Sequence, residues 1–144
     1  MKYRRLNEHE IARKFILVCD MEDDVLQALQ QFCDRERIAA ASLSGIGGFR
    51  SAAVAFYDME TKRYERIAVG EQVEVLSFLG NVTAYQGKPK IHVHCILGHR
   101  DGHTTGGHLL EGIVRPTLEL IVDEIFSSVR RTDRPDIGIP LIEL

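Results

Sequence analysis

The sequence predicts an α+β fold: a mostly antiparallel or mixed β-sheet packed with one principal helix at about residues 22–36. Two observations carry this. Apolar residues recur at helical spacing in one long stretch, at Val25, Leu26, Leu29, Phe32 and Cys33. From Ile38 onward the pattern takes the two-residue period of strands, and turn residues divide it into short runs. One helix among seven or eight strand candidates fits a layered α+β arrangement. The 144 residues, 44% apolar and 27% charged, suit one globular domain spanning 1–144, with a core large enough to need no cross-links.

Lys14–Cys19 reads as the first strand. Asp20 then reads as a helix N-cap, with Glu22, Asp23 and Asp24 in a first turn where negative charge suits the dipole. Arg35 and Arg37 suit the opposite end. Ala39–Ser44 is a short strand running into Gly45-Ile46-Gly47-Gly48, which reads as a tight connection to a second run, Ser51–Tyr57. Tyr64–Ala68 alternates weakly. Val73–Thr83 is a stronger strand interrupted at Gly80-Asn81, and Gly87-Lys88-Pro89 makes a turn. Ile91–Leu97 alternates cleanly, Leu109–Val114 is mixed, and Leu118–Phe126 alternates again.

Charge narrows the function classes. Eighteen basic against 21 acidic residues leave a net charge of −3, and the densest basic cluster is only Arg130-Arg131-x-x-Arg134. Binding to the phosphates of DNA calls for clustered Lys and Arg, so no sequence-specific DNA binding by this chain alone is expected. No apolar run is long enough to cross a bilayer. The start, Met1-Lys2-Tyr3-Arg4-Arg5, has no apolar stretch behind it as a secretory signal would. Cys19, Cys33 and Cys95 are odd in number and contain no CxxC pair, which favours the cytoplasm over a disulfide-bonded exterior.

Five of the six histidines lie between positions 92 and 108. In a strand Ile91–Leu97, the residues Ile91, Val93, Cys95 and Leu97 face the core. His92 and His94 face the other way, with Cα atoms about 6.5 Å apart. Two imidazoles so placed can converge on one divalent ion, zinc or another transition metal. Such a pair also arises on any solvated strand and binds nothing. Thr105-Gly106-Gly107-His108 supplies a third ring. A turn at Asp101-Gly102 allows a hairpin that brings His108 opposite His94, and paired glycines let the backbone approach closely. Three His ligands with an open fourth position make a catalytic type of site. Each ligating ring is expected to donate its second N–H to a carboxylate, carbonyl or water, and bound metal to be lost as pH falls through about 6.5.

The remaining candidates are weaker. His99 and His103 read as exposed turn residues, and His9 as an isolated polar residue. Gly45-x-Gly47-Gly48 lacks the helix and Lys-Ser/Thr of a phosphate loop. Ser42, Ser44 and Ser77 lack a GxSxG setting. Asn81 caps a bulge or reaches a ligand near the metal. Glu119 pairs with Arg115 or Arg100, or joins Asp101 and Glu111 as a candidate acid or base. No catalytic residue is assigned.

Several stretches together resemble the PPC domain of plants and prokaryotes. They are Ser44–Ser51 running into Ala55–Asp58, Glu74–Val82, His92–Leu97, Asp101-Gly102, Gly106–Leu109 and Gly112–Glu119. The resemblance implies an α+β domain that assembles as a homotrimer and, in prokaryotic members, a zinc ion held by the positions of His92, His94 and His108. The HxH…H pattern is also similar to the zinc site of acetolactate decarboxylase, a likeness of fold that transfers no reaction. Plant members carry an AT-hook beside the domain, and no Arg-Gly-Arg-Pro element is present here. Two functions stay open. One is a metal-binding protein of undefined activity, a metal-dependent enzyme acting on a small molecule among the possibilities. The other is a protein–protein interaction module in transcriptional regulation, with a structural metal.

Overall fold

A computed structural model describes residues 1–5, 13–125 and 129–143; His9 and Phe126 lie outside them. Among the described residues there are one helix and nine strands in a single sheet, so the α+β architecture is dominated by its sheet. No helix among them is long and apolar enough to cross a membrane.

The chain starts with strand β1 (Lys2–Arg5), antiparallel to β2 (Lys14–Cys19). Helix α1 (Val25–Glu36) follows. Its N-cap is Asp24 rather than Asp20: one Asp24 carboxylate oxygen accepts from the amides of Leu26 and Gln27, each at 3.0 Å. Glu22 takes a φ of 70°, which ends any helical run before Asp24, so the acidic residues precede the first turn. Asp20 instead binds the N-terminal amine at 2.8 Å. Arg37, left-handed at φ 56°, closes the helix, and Arg35 lies in its last turn. Val25, Leu29, Phe32 and Cys33 form the buried stripe. Phe32 meets Phe15 and Tyr3 edge to face at 5.2 and 5.0 Å, an arrangement ring quadrupoles favour.

The sheet departs from the sequence expectation chiefly in the length of its strands. The two runs at 39–44 and 51–57 are one strand, β3 (Ala41–Asp58). Likewise 109–114 and 118–124 belong to one strand, β7 (Thr104–Glu124). The two pair along most of their length, with register shifts that bend them. The glycine run is therefore no connection. It lets β3 lie against β7, since a Cβ at Gly45, Gly47 or Gly48 would stand 2.3–2.5 Å from a backbone oxygen of Glu119, Thr117 or Arg115. Strand β4 (Arg63–Val69) borders β3. Strand β5 (Val73–Tyr85) passes through Gly80-Asn81 without a break, and β6 (Lys88–Gly98) returns beside it. Because β6 also pairs with β7, the pairings β3–β5–β6–β7–β3 close a ring. Strands β8 (Arg130–Thr132) and β9 (Leu141–Glu143) complete the sheet; β8 joins β5 at Ala84–Arg130.

The core lies between α1 and the inner face of this sheet, with Phe15, Phe49, Phe78, Leu97 and Leu118 fully or almost fully buried. Val73, Val75 and Phe78 belong to it, whereas Leu79 is 58% exposed, on the outer face with Ile46, Leu76 and Ile96. The three thiols are buried and unpaired, and burial pushes each up to about 12, far from a reactive thiolate.

Candidate metal centre

Strand β6 turns Val93, Cys95 and Leu97 into the core, so alternation sends His92 and His94 to the outer face. The β6–β7 hairpin turns at residues 99–103, and its register sets His94 directly opposite His108, the pairing the Asp101-Gly102 turn predicts. Gly106 lets β7 approach β6, since a Cβ there would stand 2.9 Å from the Cys95 carbonyl oxygen, and Gly107 lets β7 approach β3, where a Cβ would stand 2.6 Å from the Ala55 carbonyl oxygen. His108 stacks on Tyr64 of β4, with ring centroids 4.7 Å apart.

One ring nitrogen from each of His92, His94 and His108 lies within 4.8 Å of the other two. A tetrahedral ion with Zn–N bonds of about 2.0–2.1 Å holds its nitrogens about 3.3 Å apart, and His92 Nε2 and His94 Nε2 stand 3.2 Å apart. His108 Nδ1 is buried without a hydrogen-bond partner, an unmet need that is uncommon in a folded protein. The residues present thus fit a divalent ion. His94 is exposed, so the cluster opens to solvent on one side.

Burial first, then the Arg131 charge, pushes His92 down to about 4. Burial, followed by His94, does the same to His108, also to about 4. Both rings are therefore neutral at pH 7, and proton competition for them begins well below the ordinary histidine range near 6.5. Lowered pKa values mean that the unfolded chain binds these protons more readily. Stability of the metal-free protein is then full above about pH 6.5 and drains away as pH falls toward 4. The urea midpoint is expected to drop across that window, and a His92→Asn, His108→Asn double variant to flatten the drop.

Two residues at this site escaped sequence reasoning. Tyr64 sits on an edge strand with weak alternation. Arg131 lies in the densest basic cluster, yet it is only 9% exposed and donates from Nη2 to His92 Nδ1 at 3.1 Å. The same nitrogen donates to Asn81 Oδ1 at 3.0 Å, which ties Asn81 to the site. The other two arginines of the cluster pair with acids, Arg130 with Glu143 and Arg134 with Asp136.

The candidate acids stand elsewhere. Glu111 is held by Arg66 at 2.7 Å, which keeps its carboxyl below the usual range, and Asp101 binds His103 within the turn. Glu119 forms no ion pair with Arg115 or Arg100 among the described residues. It lines an outer-face groove of about 430 Å³ with Ile46, Leu76 and Leu79. His103 is exposed as expected. His99 is not: its side chain is 8% exposed. Its ring bridges Glu71 and Thr105 at 2.8 and 2.9 Å and stacks on His103, bracing the hairpin.

Solved structures share this fold. A metal-containing protein from Archaeoglobus fulgidus is 32% identical, with TM-score 0.87 over 98% of this chain and 100% of its own. A plant- and prokaryote-conserved (PPC) protein from Pyrococcus horikoshii is 26% identical, with TM-score 0.86 over 99% of this chain and 95% of its own. A candidate DNA-binding protein from Bacteroides thetaiotaomicron is 26% identical, with TM-score 0.90 over 98% and 96%. That neighbour's name does not bear out the expectation that DNA binding is absent. No curated protein matches the sequence. The Plants and Prokaryotes Conserved (PCC) domain matches residues 6–126, most of the chain, and the chain belongs to that family.

Proposed function

We propose that the protein binds one divalent metal ion per subunit, zinc or another transition metal, through His92, His94 and His108. The observation that carries this is the convergence of three imidazole nitrogens within 4.8 Å, with His108 Nδ1 buried and unpartnered. The name of the Archaeoglobus relative, a metal-containing protein, agrees with it. Imidazole suits zinc, copper, iron and nickel alike, so the donor set does not choose among them. A bound zinc would supply Lewis acidity, polarising a carbonyl or lowering the pKa of water. The exposure of His94 favours an open position for a small-molecule ligand over a closed structural site. Three features of the chain itself shape that position: the Tyr64 ring packs His108 from one side, Arg131 holds His92, and Gly106 lets β7 lie close against β6, where His108 stands opposite His94. The test is metal analysis of native protein. About one equivalent per chain is expected, and a metal-free protein that takes up none on reconstitution overturns the reading.

The same reading makes the protein a cytoplasmic homotrimer. Exposed Ile46, Leu76, Leu79 and Ile96 leave an apolar outer face of the kind subunit contacts cover. Light scattering is expected to give three times the 16.3 kDa of one chain, and a stable monomer at micromolar concentration overturns this. The three buried, unpaired thiols suit a reducing compartment.

The second reading, a module in transcriptional regulation, draws on the name of the Bacteroides neighbour. With a net charge of −3 and Arg131 turned inward, this chain alone is expected to show no competitor-resistant DNA binding at physiological salt. Tight, sequence-selective retention in a gel-shift titration would favour the second reading.

A further inference from the structure

We propose that Arg131 and Asn81 decide which ring nitrogen of His92 carries the proton, and so act as positioning residues for metal at the triad. The inference rests on the metal-binding reading above.

Arg131 is almost wholly buried, and no ion pair reaches it among the described residues. Its guanidinium is held by neutral groups: Nε donates to Thr83 Oγ1 at 2.9 Å, Nη1 to the Pro140 carbonyl at 3.0 Å, and Nη2 to Asn81 Oδ1 at 3.0 Å and His92 Nδ1 at 3.1 Å. Arginine has donors only, so His92 Nδ1 must accept. A neutral imidazole that accepts at Nδ1 carries its hydrogen on Nε2. That nitrogen faces His94 Nε2 at 3.2 Å, so in the metal-free triad His92 donates to His94, while His108 Nδ1 stays without a partner.

Ligation reverses this requirement. A nitrogen that holds a metal offers a lone pair, and the opposite ring nitrogen carries the hydrogen and needs an acceptor. For His92 ligating through Nε2, the hydrogen sits on Nδ1, which now faces an arginine N–H; two donors oppose each other. An acceptor is at hand. Asn81 stands directly across from His92 in the β5–β6 register, and its Oδ1 already shares Arg131 Nη2. On metal binding Arg131 gives up His92, and Nδ1–H donates to Asn81. Arg131 therefore opposes loading and Asn81 assists it, an opposition that a purely structural role for either residue does not produce.

Long-range ¹H–¹⁵N NMR reads the tautomer directly. In metal-free wild type, His92 is expected as the Nε2–H form, and one equivalent of Zn²⁺ moves the hydrogen to Nδ1. Asn81→Leu keeps the metal-free tautomer and weakens zinc binding by about 10–100-fold, the usual effect of removing such a partner. Arg131→Met shifts metal-free His92 toward Nδ1–H and tightens zinc binding about tenfold, as loss of one charge-assisted hydrogen bond implies. Chelator competition measures both affinities. Metal-free wild type found as Nδ1–H overturns the proposal, as does zinc affinity unchanged in Asn81→Leu. Should Arg131→Met fail to fold, the wild-type spectrum and Asn81→Leu still decide. Failure of the underlying reading looks different: wild type takes up no zinc at all, and the positioning roles fall with it.

Discussion

Alanine at His92, His94 or His108 is expected to weaken zinc binding by more than about 100-fold, since removing a ligand costs more than removing the partner behind it. The triple variant should retain no metal. The effect is large because the three rings share one ion and no carboxylate hydrogen-bonds any of them among the described residues. His103→Ala is the matching control. His103 lies in the same hairpin, and its exposed ring pairs with Asp101 and stacks on the His99 ring. His99→Ala is a poorer control than the sequence suggests. The ring is buried between Glu71 and Thr105, and its loss should lower stability by about 1–3 kcal/mol while metal stoichiometry stays at one. Metal analysis with urea denaturation separates the two effects. Full stoichiometry in the triple variant would sink the assignment.

The second large effect belongs to the glycines that let the strands meet. A Cβ at Gly80 would stand 2.3 Å from the carbonyl oxygen of His92, and one at Gly107 2.6 Å from that of Ala55. Both neighbours are backbone inside the sheet, so they cannot swing aside as a flexible side chain would. Gly80→Ala and Gly107→Ala are each expected to destabilise the fold by about 1–3 kcal/mol through overpacking. Each should also weaken metal binding, because one displaces His92 and the other His108. Gly70→Ala serves as the control, since nothing lies within 4 Å of its Cβ position. Equal urea midpoints for Gly80→Ala, Gly107→Ala and Gly70→Ala would show that the close approaches do not matter.

Much of the site is legible locally. Once a strand contains Ile91–Leu97, its two-residue period puts His92 and His94 on one face. A turn at Asp101-Gly102 then leaves few registers for His108, and the one found pairs it with His94. The helix is legible for the same reason, since Val25, Leu29, Phe32 and Cys33 repeat at the period of the element they form. Its start is less so. Asp20, Asp23 and Asp24 are all chemically fit to cap, and the positive φ of Glu22 excludes the earlier candidate.

By itself the sequence determined the α+β class, the phase of α1 and β6, and the common face of His92 and His94, because each follows from spacing within a few residues. Only the tertiary structure decided how those pieces join. Glycines at 45, 47 and 48 resemble a loop until β7 lies against them, and then they are the means by which β3 continues as one strand. His99 looks like a solvated turn residue until Glu71, 28 residues earlier, closes over it. Arg131 looks like part of a surface charge cluster until β8 pairs with β5 and carries it to His92, 39 residues upstream. Hydrophobic period reports which face of an element is buried. It says nothing of which distant polar group arrives on that face, and the proton on His92 is set by such an arrival.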